Sequence, residues 1–187
     1  MGSSASGLML AMAETFKYRA FISYSHADRT WGDWLHRALE SYRVPSRLHG
    51  ATGRDGAIPT KLFPIFRDRE ELSSAAELSE QIRHALRQSA YLIIICSPRS
   101  ANSRWVNEEI LEFKRLGRED RILAVIAEGE PNAADKPDAD PALECFPQAL
   151  KFKLDRDGEL SGQRTEPLAA DLRPQGDGRE ARAVAGS

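Results

Sequence analysis

The chain has 187 residues, 41% of them hydrophobic and 29% charged, with a formal net charge of -2. That is enough for one domain with a real core and is ordinary for a globular protein. The near-neutral balance supplies no general attraction to phosphate backbones, so nucleic acid is not an expected partner. Two cysteines, Cys96 and Cys145, are too few for a disulfide framework and point to a reducing, cytoplasmic setting.

At the start, "LMLAMA" (residues 8–13) is too short to span a bilayer and has no basic residues before it, so no membrane association is expected. "MGSSASG" and the final "GS" resemble tag remnants, and residues 1–16 are expected to lie outside the fold. "YRAFISYS" then reads as a first strand. Asp28 is placed to cap a following helix, whose Trp31, Trp34, Leu35, Ala38, Leu39 and Tyr42 recur at spacings of three and four.

"RVPSRLHGATGRDGAIPT" is rich in Gly, Pro and charge and reads as an unusually long exposed connection. In "KLFPIF", a second strand, Pro64 removes a ladder donor and argues for a sheet edge. A polar segment, "RDREELSSAAE", precedes a helix with Leu78, Ile82, Ala85 and Leu86 on one face. "YLIIICS" is apolar without alternation, as expected of a strand covered on both sides. A helix containing "SRWVNEEILEFKR" and a strand "RILAVIA" follow.

Strands alternating with helices predict an α/β flavodoxin-like three-layer sandwich. Its central parallel sheet has about five strands in the order 2-1-3-4-5, with helices on both faces. Ligands of such sheets bind beyond the carboxyl ends of the strands. Residues 144–155, "ECFPQALKFKLD", are the candidate fifth strand, residues 17–155 the expected domain, and residues 156–187 a polar tail or linker to a further domain. No metal-spaced Cys/His cluster occurs, and neither a metal nor a resident cofactor is expected.

The two adjacent glutamates of the helix separate by angle. Val106, Ile110 and Phe113 form an apolar stripe that must face the sheet; at about 100° per residue, Glu108 projects away from it while Glu109 sits at its border beside Trp105. Glu109 is therefore the carboxylate placed for a site. The plainer alternative is a border glutamate in a solvated ion pair, as expected for Glu112 with Arg115.

"FISYSHAD", "FRDREEL" and "YLIIICSPRSANSRWVNEEI", in this order and spacing, resemble the Toll/interleukin-1 receptor (TIR) domain family, especially its bacterial members. The resemblance covers about residues 17–153. It implies an NAD+ glycohydrolase with NAD+ as substrate, giving nicotinamide and ADP-ribose or a cyclic form. It further implies activation by self-assembly with other TIR domains, in bacterial immune signalling. By the same resemblance Glu109 is catalytic and Trp105 a pocket wall. Ser25 and His26 after the first strand, and Arg67 and Asp68 after the second, become candidate nucleotide contacts. Two departures stand out: "SSAAE" replaces the Pro or Gly that many relatives carry after the second strand, and the long connection before that strand could crowd the cleft. The alternative implied function is a non-enzymatic TIR-TIR adaptor. A phosphoacceptor receiver domain is disfavoured because "SYSHAD" and "CSPRS" stand where its acidic residues would be.

Overall fold

A computed structural model describes the fold for residues 15–67 and 75–174, without the side chains of residues 75–79. Five strands form the central sheet: β1 (Tyr18–Ser23), β4 (Ile65–Arg67), β5 (Ser89–Cys96), β6 (Ile122–Ile126) and β9 (Leu168–Asp171). Their order is β4-β1-β5-β6-β9, and every pairing is parallel. In order of appearance this is 2-1-3-4-5, the expected flavodoxin-like arrangement. Pro64 stands immediately before the edge strand β4, where its missing N–H costs no ladder bond.

Side chains of alternate residues along each strand divide into two cores. On one face, Phe21, Leu92, Ile94, Cys96 and Ala124 pack under α2 (Ala75–Arg87) and α4 (Arg104–Arg115). On the other, Ala20, Ile22, Ile65, Ile93 and Ile95 meet α1 (Arg29–Ser41) through Leu35, Trp31 and Trp34. The unalternating run in β5 is thus explained, because both of its faces are covered and each fully buried aliphatic side chain contributes roughly 1.5–3 kcal/mol. Val106, Ile110 and Phe113 are 1%, 0% and 0% exposed, so the stripe read from the sequence is the one that docks.

Three expectations are corrected. The fifth sheet strand does not come from residues 144–155. That stretch supplies the short helix α5 (Gln148–Lys151) and β7 (Phe152–Leu154), which pairs antiparallel with β8 (Leu160–Arg164). The fifth strand is β9, inside the expected polar tail, and residues through Leu172, whose N–H donates to the Ile126 carbonyl, belong to the folded unit. "LAAD" was illegible as a strand because at this outer edge its side chains are mostly exposed, so backbone pairing holds it rather than an apolar face.

The long connection before β4 does not crowd the cleft. It folds into a small hairpin, β2 (Thr52–Gly53) with β3 (Gly56–Ala57), tied to the amino end of β6 by Arg121–Asp55 at 2.6 Å and by Arg54–Asp120. Finally, Glu112 pairs with Arg87 of α2 rather than with Arg115, which instead reaches Glu159 and the Gly158 carbonyl. Both partners come from elements whose positions only the fold determines.

Candidate active site

The carboxyl ends of β1, β4 and β5 lie together because β1 is hydrogen-bonded to both neighbours, Ile22 opposite Arg67 and Ser23 opposite Ile94. From β1 the chain passes through Tyr24 and Ser25 into a 3-10 turn, His26–Asp28. The Ser25 carbonyl accepts from the Asp28 N–H at 2.7 Å, which sets the turn. Ser25 is half-buried and His26 is exposed. A Cβ on Gly32 would come within 2.8 Å of the Tyr24 ring. Glycine in the first turn of α1 therefore lets the aromatic ring approach the helix closely.

From β5 the chain turns at Ser97 into α3 (Pro98–Ala101). Ser97 and Ser100 form a reciprocal cap: the Ser100 N–H donates to Ser97 Oγ and the Ser97 N–H to Ser100 Oγ. Ser103 then caps α4. Two successive caps leave room for only Asn102 and Ser103 between the helices. That aims α4 back across the sheet and starts it at the rim with Trp105, which is 47% exposed.

On α4 the adjacent carboxylates part as the angular reading requires. Glu108 is half-exposed and takes a hydrogen bond from Arg104 Nε at 2.6 Å, a solvated pair one turn apart. Glu109 is 9% exposed. It lies on the side of α4 that carries Trp105 and also Glu112, the residue that reaches α2 through Arg87 at 3.4 Å. Removing a carboxylate from water is costly unless partners compensate.

Arg67 and Glu109 are not brought together. Arg67 shares the α1 face of β4 with Ile65 and is ion-paired with Asp33 of α1, its side chain 11% exposed, whereas α4 covers the opposite face of the sheet. Asp68 lies outside the described residues. Ser25, His26 and Trp105 share one rim, since their turn packs against α3, which leads directly into α4.

A cluster at this rim was not foreseen. Asp28 occupies the N-cap position of α1, yet its carboxylate makes no cap hydrogen bond. It accepts instead from Ser97 Oγ at 2.6 Å and from Arg99 Nε at 2.8 Å, and Arg99 Nη2 bridges Asp28 at 2.6 Å and Glu128 at 2.9 Å. The Asp28 side chain is fully buried. Hydrogen bonding to Asp28, opposed by burial and reinforced by Glu128, raises the Arg99 pKa above its ordinary value. One carboxylate thus ties the loops after β1, β5 and β6. The sequence offered a signal for its location, "SHAD" at a strand end, but none for its partner 69 residues away. Gly129, at φ +83°, completes the clamp: a Cβ there would meet the Leu143 carbonyl at 2.6 Å and Pro98 at 2.9 Å.

Among the described residues no group of three or more His, Cys, Asp or Glu side chains is arranged to hold a metal ion. No helix among them is long and apolar enough to cross a membrane.

This rim, with its Trp-x-x-x-Glu helix, is accompanied by a direct match of residues 20–157 to the family model described as TIR domain. The chain belongs to the TIR domain family. Over 115 residues it is 35% identical to a protein named NAD(+) hydrolase ApTIR from Actinoplanes sp.; the match takes in 61% of this chain and 14% of that much longer protein. It is also similar to the TIR domains in a structure of the activated Roq1 resistosome directly recognizing the pathogen effector XopQ. There the sequence identity is 17% and the TM-score 0.44, over 67% of this chain and 66% of that one. In this TIR domain the segment between β4 and α2, residues 68–74, lies outside the description, so the described part of the rim comprises the loops after β1, β5 and β6 and the first turns of α4.

Proposed function

We propose that this TIR domain is an NAD+ glycohydrolase that breaks the nicotinamide-ribose bond, with Glu109 as the catalytic carboxylate. The observation that carries the reading is the burial of Glu109, at 9% exposure, on the helix face that also bears the rim residue Trp105, whereas its neighbour Glu108 projects toward water beside Arg104. Identity to a named NAD(+) hydrolase supports the same reading.

The reaction suits a single carboxylate. Nicotinamide departs as a neutral molecule, so no general acid is needed, in contrast to ordinary glycosidases that must protonate an alcohol oxygen. What develops is positive charge on the ribose ring. A fixed negative group in a water-poor setting stabilises that charge far better than bulk solvent does. Water, or a nucleophile of the substrate itself, then attacks the ribose carbon to give linear or cyclic ADP-ribose.

The remaining roles follow from position. Trp105 forms an aromatic wall, and Ser25 and His26 offer hydrogen bonds to the phosphates or sugar from the opposite side of the rim. Arg67 acts at a distance, holding α1 to β4 through Asp33. Asp68 keeps the nucleotide contact implied by its family position. Activation by self-assembly, with the segment after β4 of one copy completing the pocket of the next, belongs to this proposal, as does a role in bacterial immune signalling. A cytoplasmic site is supported by two free, buried cysteines.

The test is nicotinamide release from NAD+ by concentrated protein. Glu109→Ala should lower the rate by about a hundredfold to a thousandfold, the usual loss when a preorganised electrostatic group is removed. Glu108→Ala should retain it. Equal retention in both variants would remove Glu109 from the mechanism and leave a docking module.

A further inference from the structure

The second face of the sheet is incompletely covered. α1 packs on this face through Leu35, Trp31 and Trp34, but among the described residues no helix continues over β6, where Leu123 and Val125 remain partly exposed. The β2–β3 hairpin reaches across this gap from outside and leaves a cavity of about 330 Å³ beneath it. Its floor is Ala20, Ile65, Ile93 and Leu123; Leu39 of α1 closes one side and Ile58 with Pro59 the roof. The void has a local cause. Ala20 is the small residue in a row of the sheet between Ile65 and Tyr91, and Gly53, Gly56 and Ala57 above it add almost no side-chain volume.

The cavity sits at the amino ends of the strands, on the face opposite α4. It is therefore distinct from the rim that carries Trp105 and Glu109. Its size falls at the lower end of small-molecule pockets, roughly 300–1,000 Å³, and its wall matches them in being apolar with a few polar groups at the edge. Those edge groups are informative. Arg54 is paired with Asp120, and Arg121 with Asp55, which also takes a hydrogen bond from the Tyr91 hydroxyl. Arg19, half-buried at the cavity, makes no side-chain ion pair or hydrogen bond among the described residues. An apolar chamber bordered by a guanidinium with no partner among the described residues suits an apolar molecule carrying one anionic group.

We propose that this cavity is a binding site for a small amphiphilic carboxylate, a short acyl chain lying on Ala20 with its carboxylate at Arg19. Occupancy stabilises the folded chain by mass action. Because β1 runs from Arg19 to the turn bearing Ser25, the site lies on the same strand as the rim without sharing a residue with it.

Octanoate is the probe, titrated into the 187-residue chain by calorimetry, with octanol as the uncharged control. Saturable one-to-one binding of octanoate is expected. Ala20→Leu should fill the floor, leave the unfolding midpoint unchanged or raised, and weaken octanoate by about tenfold or more, the loss expected when two or three methylenes are denied burial. Arg19→Gln should weaken octanoate while leaving octanol unaffected, and it decides the matter should Ala20→Leu fail to fold. Glu109→Ala should bind octanoate as the parent does, so this result stands or falls separately from the NAD+ reading. Absence of saturable binding, or unchanged octanoate affinity in Ala20→Leu and Arg19→Gln, overturns the proposal.

Discussion

Two neighbouring carboxylates on α4 meet different fates because about 100° of helix separates them, and that angle is a property of the backbone rather than of the fold. Glu108 and Glu109 could accordingly be sorted from the sequence. Asp28 could not. It stands where a helix cap belongs, but a buried serine and an arginine claim its oxygens. Removing it strands the Ser97 hydroxyl inside the protein and leaves Arg99 with Glu128 alone. Asp28→Ala should therefore cost about 2–4 kcal/mol in urea unfolding, the range for a buried charged acceptor whose donors are left behind. A surface-cap loss would cost about 1 kcal/mol and would refute the buried-clamp reading.

At the scale of elements, the strands β1, β5 and β6 and the helices α1, α2 and α4 were legible because each carries its own periodicity or its own apolar run. The pieces beyond β6 were not. α5 and the β7–β8 hairpin are joined by charge: Asp135 accepts from Lys151 at 2.5 Å and from Arg164 at 2.7 Å, and Lys151 also reaches Glu144 at 2.9 Å. Hydrogen bonds from Arg164 and then Lys151 pull the Asp135 pKa from 3.8 down to about 2. A carboxyl depressed in the folded state contributes stability that is present above its unfolded value and lost as pH falls through the folded one. The contribution is thus complete above about pH 4 and disappears toward pH 2. Asp135→Asn should narrow its stability difference from the parent across that window, as followed by unfolding midpoints. The effect will be small, since the Asp135 and Arg164 side chains are 35% and 50% exposed and water screens the pair.

Across the whole molecule, two cores share one sheet, and the cysteines report on only one of them. Cys96 and Cys145 both lie in the core under α2 and α4, at 0% exposure. Burial raises the Cys96 thiol well above its ordinary value and lifts Cys145 to about 12. Since the thiolate is the reactive species, neither should react with an aromatic disulfide reagent at pH 8 in the native protein. Both should react in denaturant, at a rate that follows opening of this core. Rapid native modification of either would show that this core opens locally without unfolding the sheet.

By itself the sequence determined the sheet order, the docking stripe of α4 and the burial of Glu109 rather than Glu108, because these depend on the period of one element and on the limited handedness of strand connections. Tertiary structure alone decided the partners of Asp28, the pairing of Arg67 with Asp33 of α1, the recruitment of "LAAD" as the fifth strand, and the cavity above Ala20. Each of these arises where segments distant in sequence meet, through backbone pairing, buried charge or a missing volume. None of those leaves a periodic trace in the residues that form it.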